Sequence, residues 1–188
     1  MHLTVTFQDL ALSDYAKRLA DFAGRGPVVL SQALNAEGLV ARQATVKAET
    51  GQTGLSGATI DRAQQTIEAT PGRLEFWIVS RGGNVRLKFF HPSEGGGGVT
   101  ATPWNRRTFY RGTFMKSGAQ GHRKLSDRLG GQVFENISGG KWGGKIRVMR
   151  SGLFIPTEMT KGATVAAFDS AALVIAPRIV SRLGSLLP

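Results

Sequence analysis

Apolar positions recur three and four apart through most of the first 72 residues, and that period predicts helices. A short β-like start, Leu3-Thr4-Val5-Thr6-Phe7, precedes Ser13, which can cap a helix with Asp14 in its first turn. Leu12, Tyr15, Ala16, Leu19 and Phe22 or Ala23 form its apolar face. Gly24-Arg25-Gly26 reads as a break. Pro27, whose fixed φ suits a first helical position, opens a longer helix to about Glu49. Leu30, Ala33, Leu34, Val40, Ala41 and Ala44 give it a narrow, Ala-rich stripe suited to close packing, which Gly38 weakens or bends. Gly51-Gln52-Thr53-Gly54 is a turn. A third helix from about Ser56 carries Ile60, Ala63 and Ile67 and stops before Pro71-Gly72.

At Arg73 the period falls to two. Leu74, Phe76 and Ile78 alternate with Glu75, Trp77 and Val79; beyond Arg81-Gly82-Gly83-Asn84, Val85, Leu87 and Phe89 alternate with Arg86, Lys88 and Phe90. This is a β-hairpin pattern, and its pleat places Arg86 and Lys88 on one face, away from the core. Further strands are expected at 99–103, 107–115, 132–137 and 145–149; in the last, Lys145 and Arg147 share a face while Ile146 and Val148 point inward. Two loops, 93–98 and 117–131, are glycine-rich or polar and have little apolar area to offset ordering entropy, so they are expected to be mobile and to order against a partner. Pro156 precedes a C-terminal helix striped by Val165, Phe168, Ala172, Ile175, Ile179 and Leu183, which Pro177 should kink or divide. The expected fold is α+β: N-terminal helices and a C-terminal helix packed on a mostly antiparallel β-sheet with long glycine-rich loops. With no repeat or linker visible, 1–188 reads as a single domain: 1–72 mainly helical, 73–150 a basic β-sheet region, and 151–188 a C-terminal helical segment.

Composition changes this picture chiefly through charge. The chain has 188 residues and a formal net charge of +11. Residues 81–150 alone carry fourteen Lys/Arg against three acids (Glu94, Asp127 and Glu135), which accounts for the whole excess. Such a field predicts a surface that meets polyanions or an acidic partner. The absence of cysteine excludes disulfides and thiolate metal sites. No apolar run is read as approaching the roughly 20 residues of a membrane span, and the N-terminus lacks a basic start followed by an apolar stretch, so the protein is expected to be soluble, made in the cytoplasm and without a membrane partner.

Catalytic patterns are scarce. His2, His91 and His122 are isolated, without a second ligand at metal spacing. Glu94, Asp127, Glu135, Glu158 and Asp169 are too scattered for a two-metal nuclease site, and no acidic pair stands out for acid–base work. The glycine runs match neither a P-loop nor a dinucleotide fingerprint. The expectation is therefore no enzyme, no cofactor and no metal. The candidate contacts to DNA or an acidic partner are Arg86, Lys88, Arg106, Arg107, Arg111, Lys116, Arg123, Lys124, Arg128, Lys141, Lys145, Arg147 and Arg150. Trp104, Phe109, Tyr110, Phe114 and Trp142 are interleaved with them and are read as strand-core residues in preference to base-stacking platforms.

Four segments, taken in order, form a recurring arrangement: the Ala33-Leu34-Asn35 helix; the strand Arg111-Gly112-Thr113-Phe114-Met115-Lys116-Ser117-Gly118; the strand start Val133-Phe134; and Ser151-Gly152-Leu153-Phe154-Ile155-Pro156-Thr157-Glu158-Met159 before a closing helix. Over roughly residues 27–185 the chain resembles the minor tail protein Z family of tailed bacteriophages, the tail-completion or head–tail joining proteins. The resemblance implies a structural virion protein, made in the host cytoplasm, at the head-proximal end of the tail. It also implies helices packed on a sheet, a homo-oligomeric ring (commonly of six subunits), contact with terminator, stopper or tail-tube rings, and closeness to packaged DNA. Two other classes stay open on the residues alone: a freestanding, sequence-nonspecific nucleic-acid-binding protein and, disfavoured by the acid and histidine census, a metal-dependent nuclease.

Overall fold

The computed structural model describes residues 10–118, 124–125, 129–138 and 144–184. The chain is α+β and packs as two compact units, each assembled from separate stretches of sequence. One comprises Met1–Gln43, Thr66–Val79 and Phe168–Pro188; the other comprises Ala44–Gln65 and Ser80–Ala167. By sequence the first holds seven Lys/Arg and seven Asp/Glu, whereas the second holds seventeen and six. The second unit thus carries the entire net charge.

Helix α1 runs without interruption from Leu10 to Thr53, 44 residues, with Pro27 inside it. The expected break at Gly24-Arg25-Gly26 does not form. A proline removes one ladder bond and crowds the carbonyl four residues back, at about 3 kcal/mol, and the bonded turns on either side carry the helix across. The β-like start at 3–7 lies outside the described residues. Helix α2, Gly57–Ala63, begins as expected: the Ser56 side chain accepts a hydrogen bond from the Thr59 N–H. It ends sooner, because Gln64–Ile67 is strand β1. The change of structure at Gln64 follows a tertiary bond, since its buried side-chain amide donates to Glu49 at 2.7 Å.

Strand β2, Trp77–Ser80, pairs with β1, not with β3, Asn84–Arg86. The expected 74–89 hairpin is therefore absent. Residues Leu87–Phe89 form a 3₁₀ turn, and β3 pairs instead with the distant Arg150–Phe154. The glycine-rich stretch 93–98, read as a loop, is regular structure. Ser93–Gly95 (β4) and Gly98–Ala101 (β5) are hairpin partners around Gly96-Gly97, whose φ values of 62° and 84° are those a two-residue primed turn requires. The Glu94 carboxylate holds this hairpin by accepting from the Met115 and Lys116 N–H groups at 2.6 and 2.8 Å.

Expected strands at 107–115, 132–137 and 145–149 appear in shortened form. Thr108–Arg111 is β6, Thr113–Phe114 is β7, Phe134–Asn136 is β10 and Ile146–Val148 is β11. Within the polar stretch 117–131, Lys116–Ser117 (β8) pairs with Lys124–Leu125 (β9). Instead of one sheet, the described residues form five small ones, ordered β1-β2, β11-β10-β7, β12-β3, β4-β5-β6 and β8-β9, where β12 is Arg150–Phe154. Ile146, expected inward, is 48% exposed.

The second unit is built on a core of Leu55, Ile60, Val85, Leu87, Phe90, Val99, Ala101, Met115, Val133, Leu153 and Ile155. Helix α3, Ile155–Met159, opens with Pro156, and α4 runs from Gly162 to Gly184. Pro177 does not divide it. The segment Gly162–Ser181, at mean hydropathy 1.5, is long and apolar enough to cross a membrane, contrary to the expectation of no such run. In the first unit, Asn35, Gly38 and Glu37 of α1 receive Ala69, Phe76 and Arg178 respectively.

Candidate nucleic-acid interface

In the second unit, α2, the turn 81–84 and the Leu87–Phe89 turn enclose a cleft of about 410 Å³. Arg62, Arg81, Arg86 and Lys88 line it above an apolar floor that includes Phe89 and Ile155, and no acid lines it. Each cation is placed by ordinary local chemistry. The Ser56 cap starts α2 and buried Ile60 seats it, which leaves Arg62 exposed on its last turn. The Arg81 N–H donates to the Ala63 carbonyl at 3.0 Å, drawing the two sides of the cleft together. Leu87 and Phe90 are both 0% exposed, and their burial turns Lys88 and Phe89 toward the surface. Lys88 Nζ lies 5.2 Å from the Phe89 ring centroid, within cation–π range.

Arg86 and Lys88 do not share a pleat, but the fold still brings them together. With the Gln132 carboxamide oriented to satisfy its neighbours, its oxygen accepts from Lys88 Nζ at 3.1 Å and from Arg86 NH1 at 3.2 Å. Across β3 and β12, Arg86 stands directly opposite Arg150, a like-charge pairing that disfavours the ladder unless an anion compensates it. Arg150 NH1 is held by the Asn84 carbonyl at 2.9 Å. None of Arg62, Arg81, Arg86 and Lys88 has a carboxylate partner among the described residues.

The remaining predicted contacts are dispersed. Arg106 and Arg107 are exposed after the Pro103–Asn105 turn, and Arg111 is exposed at the end of β6. Lys116 is half-buried on β8, Lys124 is exposed on β9, and Lys145 is exposed before β11. Arg147 is paired with Glu135, its Nε donating at 2.5 Å, so its charge is locally compensated. Arg123, Arg128 and Lys141 lie outside the described residues, as do His122 and Trp142. Of the aromatics, Phe114 stacks on Phe134 with centroids 6.0 Å apart, as a strand-core residue should. Phe109 is 50% exposed, against the core reading.

Arg62 and Arg81 are absent from the contacts chosen by sequence. Arg62 lies in the nearly neutral first 80 residues, and only packing of α2 beside the 81–84 turn adds it to the cleft. Its one sequence signal was its place in the last turn of a capped helix.

The fold also assembles a carboxyl pair that spacing did not reveal. Glu49 on α1 and Glu158 on α3 are 0% and 3% exposed. Burial pushes Glu49 up to about 7; the Gln64 hydrogen bond opposes this and the nearby Glu158 charge adds to it. For Glu158, burial pulls upward, but hydrogen bonds from Gln52, Lys161 and Trp104 and the Lys161 charge outweigh it and hold the group below the usual range. The two groups sit at a packed joint, out of reach of solvent. Among the described residues no group of three His, Cys, Asp or Glu side chains is placed to hold a metal ion.

No protein-family model, curated protein or solved structure matches this chain.

Proposed function

We propose that this chain is a structural, non-catalytic protein of a tailed-bacteriophage virion. It completes the head-proximal end of the tail and joins it to the neck. In this reading it forms a homo-oligomeric ring, six-fold in the form the resemblance implies, beside terminator, stopper or tail-tube rings, with its basic unit toward packaged DNA or an acidic neighbour. The observation that carries the reading is the segregation of charge: the unit with the cation-lined, acid-free cleft holds the whole +11, and the other unit is neutral. A field of that size favours a polyanion and steers its approach. Contacts from Lys and Arg to phosphate position a protein without reading sequence, which suits an assembly role.

Imaging intact particles at the neck tests this directly. The expected result is a ring of this chain between head and tail tube; density for the chain elsewhere, or none, overturns it. The same cleft supports a second reading, a freestanding, sequence-nonspecific nucleic-acid-binding protein. Tight binding of the monomer to short duplex DNA at physiological salt favours that second reading, and weak binding with ring formation favours the first.

A further inference from the structure

We infer that the cleft between α2 and the 81–84 and Leu87–Phe89 turns binds a phosphate group of a polynucleotide backbone, an inference that rests on the polyanion-facing role just proposed. Arg86 and Lys88 already converge on one oxygen, that of the Gln132 carboxamide, at 3.2 and 3.1 Å. An amide oxygen carries only a partial charge. A phosphate oxygen at the same point carries a formal negative charge and so adds ion pairing to donors that are already ionised. Gln132 stands beside the cleft and does not line it, whereas Arg62 and Arg81 line it together with Arg86 and Lys88 and add two planar guanidinium forks suited to phosphate geometry. The anion also relieves the like-charge opposition of Arg86 and Arg150.

Access is built in. A side chain added at Gly82 or Gly83 would meet nothing within 4 Å, so the backbone at the rim leaves room for close approach. Gln132 follows a tight turn in which its N–H donates to the Leu129 carbonyl at 3.0 Å. Phe89 and Ile155 offer apolar surface to a sugar, while Thr59 and Asn84 are the uncharged polar side chains of the lining. A polynucleotide is favoured over a free phosphate because Arg106, Arg107 and Arg111 lie exposed on the same unit and attract a longer run of charge.

Fluorescence anisotropy with a labelled short DNA duplex tests the site. The double variant Arg86→Gln with Lys88→Gln is compared with Lys17→Gln with Arg25→Gln, an outer pair that removes the same charge from exposed positions of the other unit. The cleft pair is expected to lower affinity about tenfold at roughly 50 mM salt and to make the log–log salt slope shallower by about two; the outer pair is expected to cost less than about threefold. Equal losses from both pairs, or none from the cleft pair, overturn the inference. Gln132→Glu retains both cations but fixes a carboxylate between them. It is expected to weaken binding at least as much as the double variant, and wild-type binding by it overturns the site whatever the double variant's folding. Inorganic phosphate added at constant ionic strength separates the ligand sources: duplex binding that persists supports the polynucleotide, while displacement by millimolar phosphate overturns that assignment in favour of a free anion. Normal binding by the cleft variants removes this site and leaves the neck assignment standing on particle imaging. A particle without the chain at its neck removes that assignment and leaves the binding result intact.

Discussion

Glu49 buries its carboxyl against the side-chain amide of Gln64, accepting from Nε2 at 2.7 Å through Oε2, while Oε1 has no hydrogen-bond partner among the described residues. Its pKa of about 7 against an ordinary 4.5 means that the folded protein holds a proton the unfolded chain releases. Between those values the folded state binds more protons, so stability falls as pH rises from about 4.5 to about 7 and levels off above. The loss is on the order of 3 kcal/mol. Glu49→Gln keeps the shape without the titration. Urea midpoints measured across this range should decline for the wild type and stay flat for the variant.

Glu158 acts in the opposite sense. Its Oε2 accepts from Gln52 at 2.8 Å, and its Oε1 accepts from Trp104 at 3.1 Å and Lys161 at 2.9 Å. Its folded pKa is depressed, so its contribution is present above the ordinary value near 4.5 and is lost as pH falls through the folded pKa. The two carboxyls together place a stability maximum in mildly acidic solution. Glu158→Gln should cost about 1–3 kcal/mol at neutral pH and remove the acid-side decline, as read by thermal melting over a pH series.

In the first unit, Asn35 clasps the backbone of Ala69 from both sides. Its Nδ2 donates to the Ala69 carbonyl at 3.0 Å, and its Oδ1 accepts from the Ala69 N–H at 2.7 Å. Ala69 is 5% exposed, so removing the clasp leaves two backbone groups without partners in a dry place. Asn35→Ala should destabilise by about 2–4 kcal/mol and release amide-exchange protection at Ala69 while the second unit keeps its own.

Gly38 reverses a common rule. In an exposed helix interior, Gly→Ala stabilises by about 1 kcal/mol. Here a Cβ would clash with the Cγ, Cδ1 and Cε1 atoms of the Phe76 ring, which packs on the bare backbone of α1. Gly38→Ala should therefore destabilise, by about 1–3 kcal/mol, and Gly38→Ala combined with Phe76→Ala should lose less than the sum of the two single changes. Denaturant unfolding of the four proteins in the cycle supplies the measurement.

The features that local chemistry governs were legible in the chain. Ser56 capped its helix, strands appeared near 99–103, 107–115, 132–137 and 145–149, and the α+β class followed from the change of period at Arg73. The central excess of charge was plain from residue counts. Less of the candidate site could be read: Arg86 and Lys88 were paired on a pleat that does not exist, and they meet through Gln132 instead.

What the sequence determined by itself was the periodicity of each segment, its caps and the sign of its field, because these depend on neighbours three or four residues away. Tertiary structure alone decided that α1 runs through Pro27, that β3 takes β12 in place of β2, and that Gly96-Gly97 closes a hairpin held by Glu94. It also brought Arg62 to the cleft and Glu49 to Glu158. Those outcomes depend on which distant groups share a dry interior or a common oxygen, and periodicity along one segment carries no information about its partner. The central positive charge was a property of the sequence; the meeting of Arg62, Arg81, Arg86 and Lys88 around one acid-free cleft was a property of the fold.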